Sequence, residues 1–339
     1  METTSLLKPK DFATDQDVRW CPGCGDYSIL KQVQTVMPEL GIPRENIVFI
    51  SGIGCSSRFP YYMNTFGMHS IHGRAAPIAS GLKMMRKDLS VWIITGDGDS
   101  LSIGGNHLIH LLRRNLDVNI LLFNNEIYGL TKGQFSPTSE VGKNTKSSPW
   151  GTVDHPFNPA ALALGADASF FARGLDRDTK GLRDILLRAH AHKGTSLVEI
   201  YQNCNVFNDG AFAPYSEKSS RQQSSLLLEE GMPLTYGEDT QKEALYIKNM
   251  KVFSAPLESI SKEDLWIHDS KDPMKAHLLS RLFDPYSEKA LPRPFGVFYQ
   301  EERLVYEEEM DKQLHTAVES KGVGDLDSLL QGKNHWTIS

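Results

Sequence analysis

The stretch from Thr95 to Asn125 constrains this chain more than any other. An apolar run, Val91 to Ile94, meets Thr95-Gly96-Asp97-Gly98-Asp99, a glycine-rich turn carrying carboxylates. Gly104-Gly105-Asn106 opens an amphipathic run, and a second apolar run, Val118 to Phe123, ends in Asn124-Asn125. This is a β-α-β unit with oxygen-bearing side chains at the ends of both strands. In an open α/β sheet, ligands bind outside such strand ends.

The oxygen set suits a hard divalent cation. Mg²⁺ prefers octahedral oxygen ligands and takes few protein groups together with phosphate oxygens. Asp97 offers a carboxylate, Asn125 an amide oxygen and Ile127 a backbone carbonyl. Gly96 and Gly98 let the backbone approach closely. The amides opening the helix after Gly105 suit a phosphate. The bland alternative is a turn in which Asp97 only caps the next helix. An isolated Gly-Asp-Gly carries no more than that. Here Gly-Asp-Gly and Asn-Asn each end an apolar strand, in order, and that pairing resembles the thiamine diphosphate signature.

The flanking chain supplies the rest of a sheet. Residues 1–20 are polar without a clear period and read as an arm. Trp20-Cys21-Pro22-Gly23-Cys24-Gly25 is a tight turn, and Ile29, Val33 and Val36 then recur at helical spacing up to Pro38. A strand over residues 46–51 ends in Gly52-Ile53-Gly54-Cys55-Ser56-Ser57-Arg58. His69-Ser-Ile-His72-Gly-Arg74 precedes a small-residue helix over 75–86. After Asn125 come Glu-Ile-Tyr128-Gly-Leu130-Thr131 and a Ser/Thr/Pro/Lys loop to Trp150. Helix (157–165), strand (167–172) and helix (179–192) follow, with 196–202 read as the last strand of the sheet. Strands alternating with helical patterns predict a parallel, doubly wound sheet. Beyond residue 213 the regularity fades.

Composition excludes some classes. The chain has 339 residues, 40% hydrophobic and 23% charged, which fits one large α/β domain with an extension, or two domains. A net charge of −6 argues against nucleic acid as the partner. No run approaches the roughly 20 apolar residues of a membrane span. Residues 1–8 lack a basic region before a hydrophobic core, so no signal peptide is expected and the location reads as cytoplasmic. The four cysteines are Cys21, Cys24, Cys55 and Cys204. In a reducing compartment, spaced cysteines bind metal or do redox chemistry more often than they form structural disulfides. Zinc and an iron–sulfur cluster both suit the pattern. All three cysteine loci flank predicted strands, so they can converge.

Six motifs occur in order: Trp-Cys-Pro-Gly-Cys-Gly, Gly-Ile-Gly-Cys-Ser-Ser-Arg, Ile-His-Gly-Arg-Ala, Thr-Gly-Asp-Gly-Asp, Ile-Gly-Gly-Asn-His and Asn-Asn-Glu-Ile-Tyr-Gly-Leu-Thr-Lys-Gly-Gln. Over residues 17–212 they closely resemble the β subunit of 2-oxoacid:ferredoxin oxidoreductases. Phe295-Gly-Val-Phe, Gly324-Asp-Leu-Asp and Trp336-Thr-Ile echo the 2-oxoglutarate branch. The resemblance implies an α/β thiamine diphosphate-binding fold: a doubly wound, mostly parallel sheet over 21–212, with 213–339 as an irregular extension that wraps the core or docks a partner.

It also implies a site. Cys21, Cys24, Cys55 and Cys204 would ligate one [4Fe–4S] cluster, and Asp97, Asn125 and the Ile127 carbonyl would hold Mg²⁺. Ile53, Gly54, Ser56, His72, Gly98, Asp99, Leu130 and Thr131 would line thiamine diphosphate. Arg58 is a candidate to read a substrate carboxylate, since Arg does so with two parallel hydrogen bonds. His72 is a candidate active-site polar group. His69, His107 and His110 read as structural or packing residues, and Tyr306-Glu-Glu-Glu as a solvated helix face. The implied reaction is CoA-dependent oxidation of a 2-oxoacid, foremost 2-oxoglutarate to succinyl-CoA and CO₂ or the reverse, with ferredoxin as electron acceptor. The glutamate that activates the cofactor's aminopyrimidine has no candidate here. In the family it comes from the α subunit, so this chain is expected to be inactive alone. Pyruvate or a broad 2-oxoacid range is the runner-up. A non-oxidative thiamine enzyme with structural zinc and a non-catalytic electron-transfer or scaffold subunit are the readings from other classes.

Overall fold

The computed structural model describes residues 7–282, 291–336 and 338. The first six residues of the N-terminal arm, and with them most of the segment read for a signal peptide, lie outside the described residues, as does Thr337 of the terminal echo. The apolar runs become strands: β1 (Ile47–Ser51), β2 (Phe66–His69), β3 (Ser90–Gly96), β4 (Val118–Asn124), β5 (Phe170–Leu175) and β6 (Ser196–Tyr201). Helices α1 (Asp26–Val36), α2 (Ala75–Met85), α3 (Gly105–Arg114), α4 (Pro159–Gly165) and α5 (Thr179–Ala191) alternate with them. Later come β7 (Ser225–Leu228), a small antiparallel sheet of β8 (Thr235–Tyr236), β9 (Glu243–Lys248) and β10 (Lys251–Pro256), and β11 (Arg293–Gln300).

The main sheet runs β2-β1-β3-β4-β6-β5-β11-β7 among the described residues. All its pairs are parallel except β11 with β5. Side chains alternate across a strand, and the alternation sorts two cores. Val48, Ile50, Val91, Ile93 and Ile120 pack with α2 and α3 on one face. Ile47, Phe49, Trp92, Ile94 and Leu121 pack with α1 and α5 on the other. Because both faces are covered, every residue of β4 is buried, as a central parallel strand requires. Truncating one such side chain, Leu121→Ala for instance, would cost about 2–5 kcal/mol.

The structure corrects four sequence readings. β2 was missed, because Phe66 and Met68 at the sheet edge are exposed and give no burial pattern. β6 is not the last strand: β7 and β11 extend the sheet. Pro292, Pro294 and Gly296 interrupt the β11 pattern, and its pairing with β5 shifts register between Val297 and Tyr299. His110 is exposed and not a packing residue, while His107 is half-buried; Leu108, Leu111 and Leu112 form the buried face of α3. Glu307 does not lie on a solvated face. It is buried, and Oε1 accepts from the Asp117 backbone N–H at 3.1 Å. Among the described residues no helix is long and apolar enough to cross a membrane.

Candidate functional site

Because β1, β3, β4 and β6 are parallel neighbours, their carboxyl ends lie along one edge of the sheet. Those ends deliver Gly52–Cys55, Gly96–Asp99, Asn124–Ile127 and Gln202–Cys204 to a common place. Asp97 is buried there. Ser136 Oγ and Thr138 Oγ1 both donate to its Oδ2, at 2.6 and 2.7 Å. Burial pushes its carboxyl above the ordinary value, and the two hydroxyls pull it back down. No side-chain cap hydrogen bond joins Asp97 to the start of the next helix.

The turn after β4 is built from amides. Asn125 Oδ1 accepts from the Ile127 N–H at 3.2 Å, and its Nδ2 donates to Gln202 Oε1 at 2.9 Å. Between them Glu126 adopts φ 57°, a left-handed conformation costly for a residue with a side chain. Burial raises its carboxyl to about 7, against the opposing Arg293 charge.

Asp99 joins three neighbouring segments. Its Oδ1 accepts from the backbone N–H groups of Ile53 at 3.0 Å and Gly73 at 2.7 Å, and Oδ2 from Thr95 Oγ1 at 2.7 Å. It ties the loops together from inside. Gly98 backs the Tyr128 ring: a Cβ there would lie 2.1 Å from a ring carbon, and the Tyr128 hydroxyl donates to the Gly98 carbonyl at 3.1 Å. Ile53 and Gly54 follow β1, with Gly54 at φ 142°, and Ser56 is buried beneath Gly96. Leu130 is exposed, and so is Thr131, whose carbonyl accepts from Gln134 Nε2 at 2.8 Å. His72 Nε2 lies 3.7 Å from Asp99 Oδ1.

The cysteines converge on the same edge. All four are free; Cys21 is exposed and the others are half-buried. The Gly25 N–H donates to the Asn203 carbonyl at 3.1 Å, which pins the Cys21–Cys24 turn to the end of β6. Trp20 Nε1 donates to the Cys55 carbonyl at 2.6 Å, and Gln202 Nε2 to Cys24 Sγ at 3.2 Å. A Cβ on Gly129 would sit 3.5 Å from Cys55 Sγ and 3.6 Å from Cys204 Sγ, so both sulfurs lie close to a bare glycine. Burial pushes the Cys55 thiol up to about 12, with Asp26 and Cys204 adding to it, and burial likewise raises Cys24. Among the described residues no three His, Cys, Asp or Glu side chains close on a single ion.

Residues 52–200 match the family of thiamine pyrophosphate enzymes, C-terminal TPP-binding domain. The 2-oxoglutarate oxidoreductase subunit KorB of Mycobacterium tuberculosis is 51% identical over 99% of this chain and 90% of its own length. The chain is a β subunit of the 2-oxoacid:ferredoxin oxidoreductase family. A β subunit of that family from Aeropyrum pernix is 43% identical over 59% of this chain and 64% of its own. A solved 2-oxoglutarate:ferredoxin oxidoreductase from Magnetococcus marinus, with 2-oxoglutarate, coenzyme A and succinyl-CoA bound, superposes at TM-score 0.75 with 30% identity over 97% of this chain and 96% of that one.

In this β subunit Arg58 lies away from Asp97, in a cavity of about 240 Å³ shared with Arg19, Tyr61, Tyr62 and His69. Its Nε donates to the Tyr62 hydroxyl at 3.2 Å. Burial, then the Arg58 charge, lowers the pKa of His69. Sequence reasoning missed Ser136, Thr138 and Ser139, which sit in a loop without periodicity. It also missed the buried Arg173–Glu199 pair, closed at 2.7 Å, whose Glu199 Oε1 accepts from Asn124 Nδ2 at 2.8 Å. Charged residues inside otherwise apolar strands were the available signal for that pair.

Proposed function

We propose that this β subunit, with an α subunit, catalyses CoA-dependent oxidation of 2-oxoglutarate to succinyl-CoA and CO₂, or the reverse, with ferredoxin as the electron acceptor. The observation that carries this reading is the position of Gly129. The turn bearing Asn125 and Ile127 continues directly into the glycine that lies close to the Cys55 and Cys204 sulfurs. One turn thus faces both the thiamine diphosphate domain's oxygen ligands and a sulfur donor set. Cys55 and Cys204 beside Gly129, with the Cys21–Cys24 turn pinned to the end of β6, support a thiolate set of the kind that holds an iron–sulfur cluster.

Asp97, Asn125 and the Ile127 carbonyl would hold Mg²⁺, and Cys21, Cys24, Cys55 and Cys204 one [4Fe–4S] cluster. Thiamine diphosphate, when bound, supplies the electron sink for loss of CO₂, and the cluster accepts electrons singly. Ile53, Gly54, Ser56, Gly98, Leu130 and Thr131 shape the cofactor's cradle, with Asp99 fixing that cradle from behind. Arg58, in the cavity it shares with the Arg19–Asp17 pair, would receive the substrate's distal carboxylate. His72 presents a polar ring beside the cofactor loop.

The test is the purified α/β complex. Iron with acid-labile sulfide and a broad visible absorbance is expected, and stoichiometric zinc would overturn the oxidative reading. With a low-potential acceptor, 2-oxoglutarate should turn over faster than pyruvate, and Arg58→Leu should raise KM for 2-oxoglutarate more than for pyruvate. A preference for pyruvate in the wild type would defeat the substrate assignment. Turnover by the isolated β chain, reconstituted with cofactor and cluster, would defeat the requirement for a partner.

A further inference from the structure

The loop 136–139 reaches into the site and grips both of its walls. Ser136 Oγ and Thr138 Oγ1 donate to one oxygen of Asp97, Oδ2. Ser139 Oγ donates to the Glu126 carbonyl at 2.6 Å, inside the turn that carries Asn125 and Ile127, and is itself held by the Ser136 N–H at 2.8 Å. Thr138 Oγ1 also lies 2.9 Å from Asn124 Oδ1. All three hydroxyl residues are buried.

The proton count decides which way Thr138 points. A hydroxyl has one proton to give, so Thr138 can serve Asp97 or Asn124 but not both. Glu199 Oε2 accepts from Arg173 Nε at 2.7 Å, and an ionised carboxylate only accepts. Asn124 must therefore turn Nδ2 toward Glu199 and Oδ1 toward Thr138. The Glu126 N–H already reaches Asn124 Oδ1, at 3.3 Å. Asn124 is satisfied without the Thr138 proton, which goes to Asp97.

We infer that Ser136, Thr138 and Ser139 form a hydroxyl clamp that positions the magnesium ligands. Two donors hold Oδ2 of Asp97 and fix the orientation in which its carboxylate would hold the metal. Ser139 holds the opposite wall, so that Asn125 and the Ile127 carbonyl keep their place relative to it. These are positioning residues, and the inference rests on Asp97, Asn125 and Ile127 being the ligands.

The experiment is a Mg²⁺ titration of thiamine diphosphate binding to the apo α/β complex, followed by calorimetry or intrinsic fluorescence. Groups that orient metal ligands are worth about 10–100-fold in metal affinity. Thr138→Val keeps the shape and removes the hydroxyl, and should raise half-saturating Mg²⁺ about tenfold or more. Thr138→Ser should restore the wild-type value, and Ser139→Ala should weaken Mg²⁺ binding in the same direction. Melting without Mg²⁺ confirms that each variant is folded; should Thr138→Val not fold, Ser136→Ala carries the same expectation. A Thr138→Val or Ser136→Ala titration that overlays the wild type overturns the clamp. Asp97→Ala separates this from the ligand assignment: an unchanged Mg²⁺ requirement there would sink the assignment itself. Loss of binding in Asp97→Ala with wild-type behaviour in Thr138→Val would sink the clamp alone.

Discussion

Replacing Asp99 separates support of the cofactor cradle from contact with the cofactor. Its two oxygens hold Ile53, Gly73 and Thr95, which lie after β1, before α2 and at the end of β3. Asp99→Ala orphans two backbone N–H groups at about 1–3 kcal/mol each and removes a charge-assisted hydroxyl bond of about 1.5–3 kcal/mol. The total, about 4–9 kcal/mol, is a large part of the roughly 5–15 kcal/mol by which a domain is stable. Asp99→Asn behaves differently. Its Oδ1 keeps both N–H bonds, its Nδ2 takes the place of Oδ2, and the Thr95 hydroxyl turns from donor to acceptor. The cost is the charge assistance alone, about 1–2 kcal/mol. Urea and thermal denaturation of the α/β complex, alongside thiamine diphosphate titration, measure both effects. Asp99→Ala should melt at least about 5 °C lower, while Asp99→Asn should melt near the wild type and bind cofactor normally. The reasoning is refuted if Asp99→Ala melts like the wild type. It is equally refuted if Asp99→Asn keeps its melting point and loses the cofactor, because Asp99 would then contact the cofactor directly.

Gly98→Ala places a Cβ 2.1 Å from the Tyr128 ring and should displace it, weakening thiamine diphosphate binding about tenfold or more; unchanged affinity by titration would show the ring has no part in the cradle. Breaking the buried Arg173–Glu199 pair with Arg173→Met should cost about 3–5 kcal/mol, and adding Glu199→Gln, which removes the unpaired charge and keeps an acceptor for Asn124 Nδ2, should recover part of it. Denaturation curves in which the double variant is as unstable as the single would exclude that account. His192 is held down to about 4 from an ordinary 6.5, first by burial. The unfolded chain takes up its proton near 6.5 and the folded chain only near 4, so this contribution to stability is full above 6.5 and is lost as pH falls through that window. His192→Gln should flatten the fall in melting temperature over that range, and an unchanged slope would remove His192 as its cause.

What the sequence made legible was local. The β3–α3–β4 unit declared itself because two apolar runs, a glycine turn and a helical period lie within one short stretch, and the cysteines because each sits in a turn flanking a strand or helix. What stayed hidden depends on distant partners. Ser136 meets Asp97 across 39 positions and Thr138 across 41, and a lone hydroxyl in a polar loop has no period to betray it. Arg173 meets Glu199 only because β5 and β6 are neighbours, in register at that pair. Asp99 was read as lining the cofactor because it sits in the right motif. The motif gave its place, but not that its oxygens face inward. β11 was hidden by its own prolines and by a bulge.

The turn after β4 explains why one edge of the sheet can serve two kinds of chemistry. Asn125 and Ile127 face the oxygen site, and Gly129 faces the sulfurs of Cys55 and Cys204. The oxygen-bearing residues and the glycine beside the sulfurs are therefore two residues apart on one piece of backbone, and a shift of that backbone moves both. A turn holding a left-handed Glu126 is strained and keeps its shape only if its surroundings over-determine it. They do so from three sides. Ser139 holds the Glu126 carbonyl, Asn208 Nδ2 the Asn125 carbonyl at 2.9 Å, and Gln202 the Asn125 amide. Gln202 also donates to Cys24 Sγ, and Asn208 closes the turn that begins at Cys204, its N–H on the Cys204 carbonyl at 2.9 Å. The bonds that fix the oxygen ligands are thus made by the same residues that fix the sulfurs. Loosening the bonds of Gln202 or Asn208 should therefore disturb the Asn125 turn and the cysteine turns together.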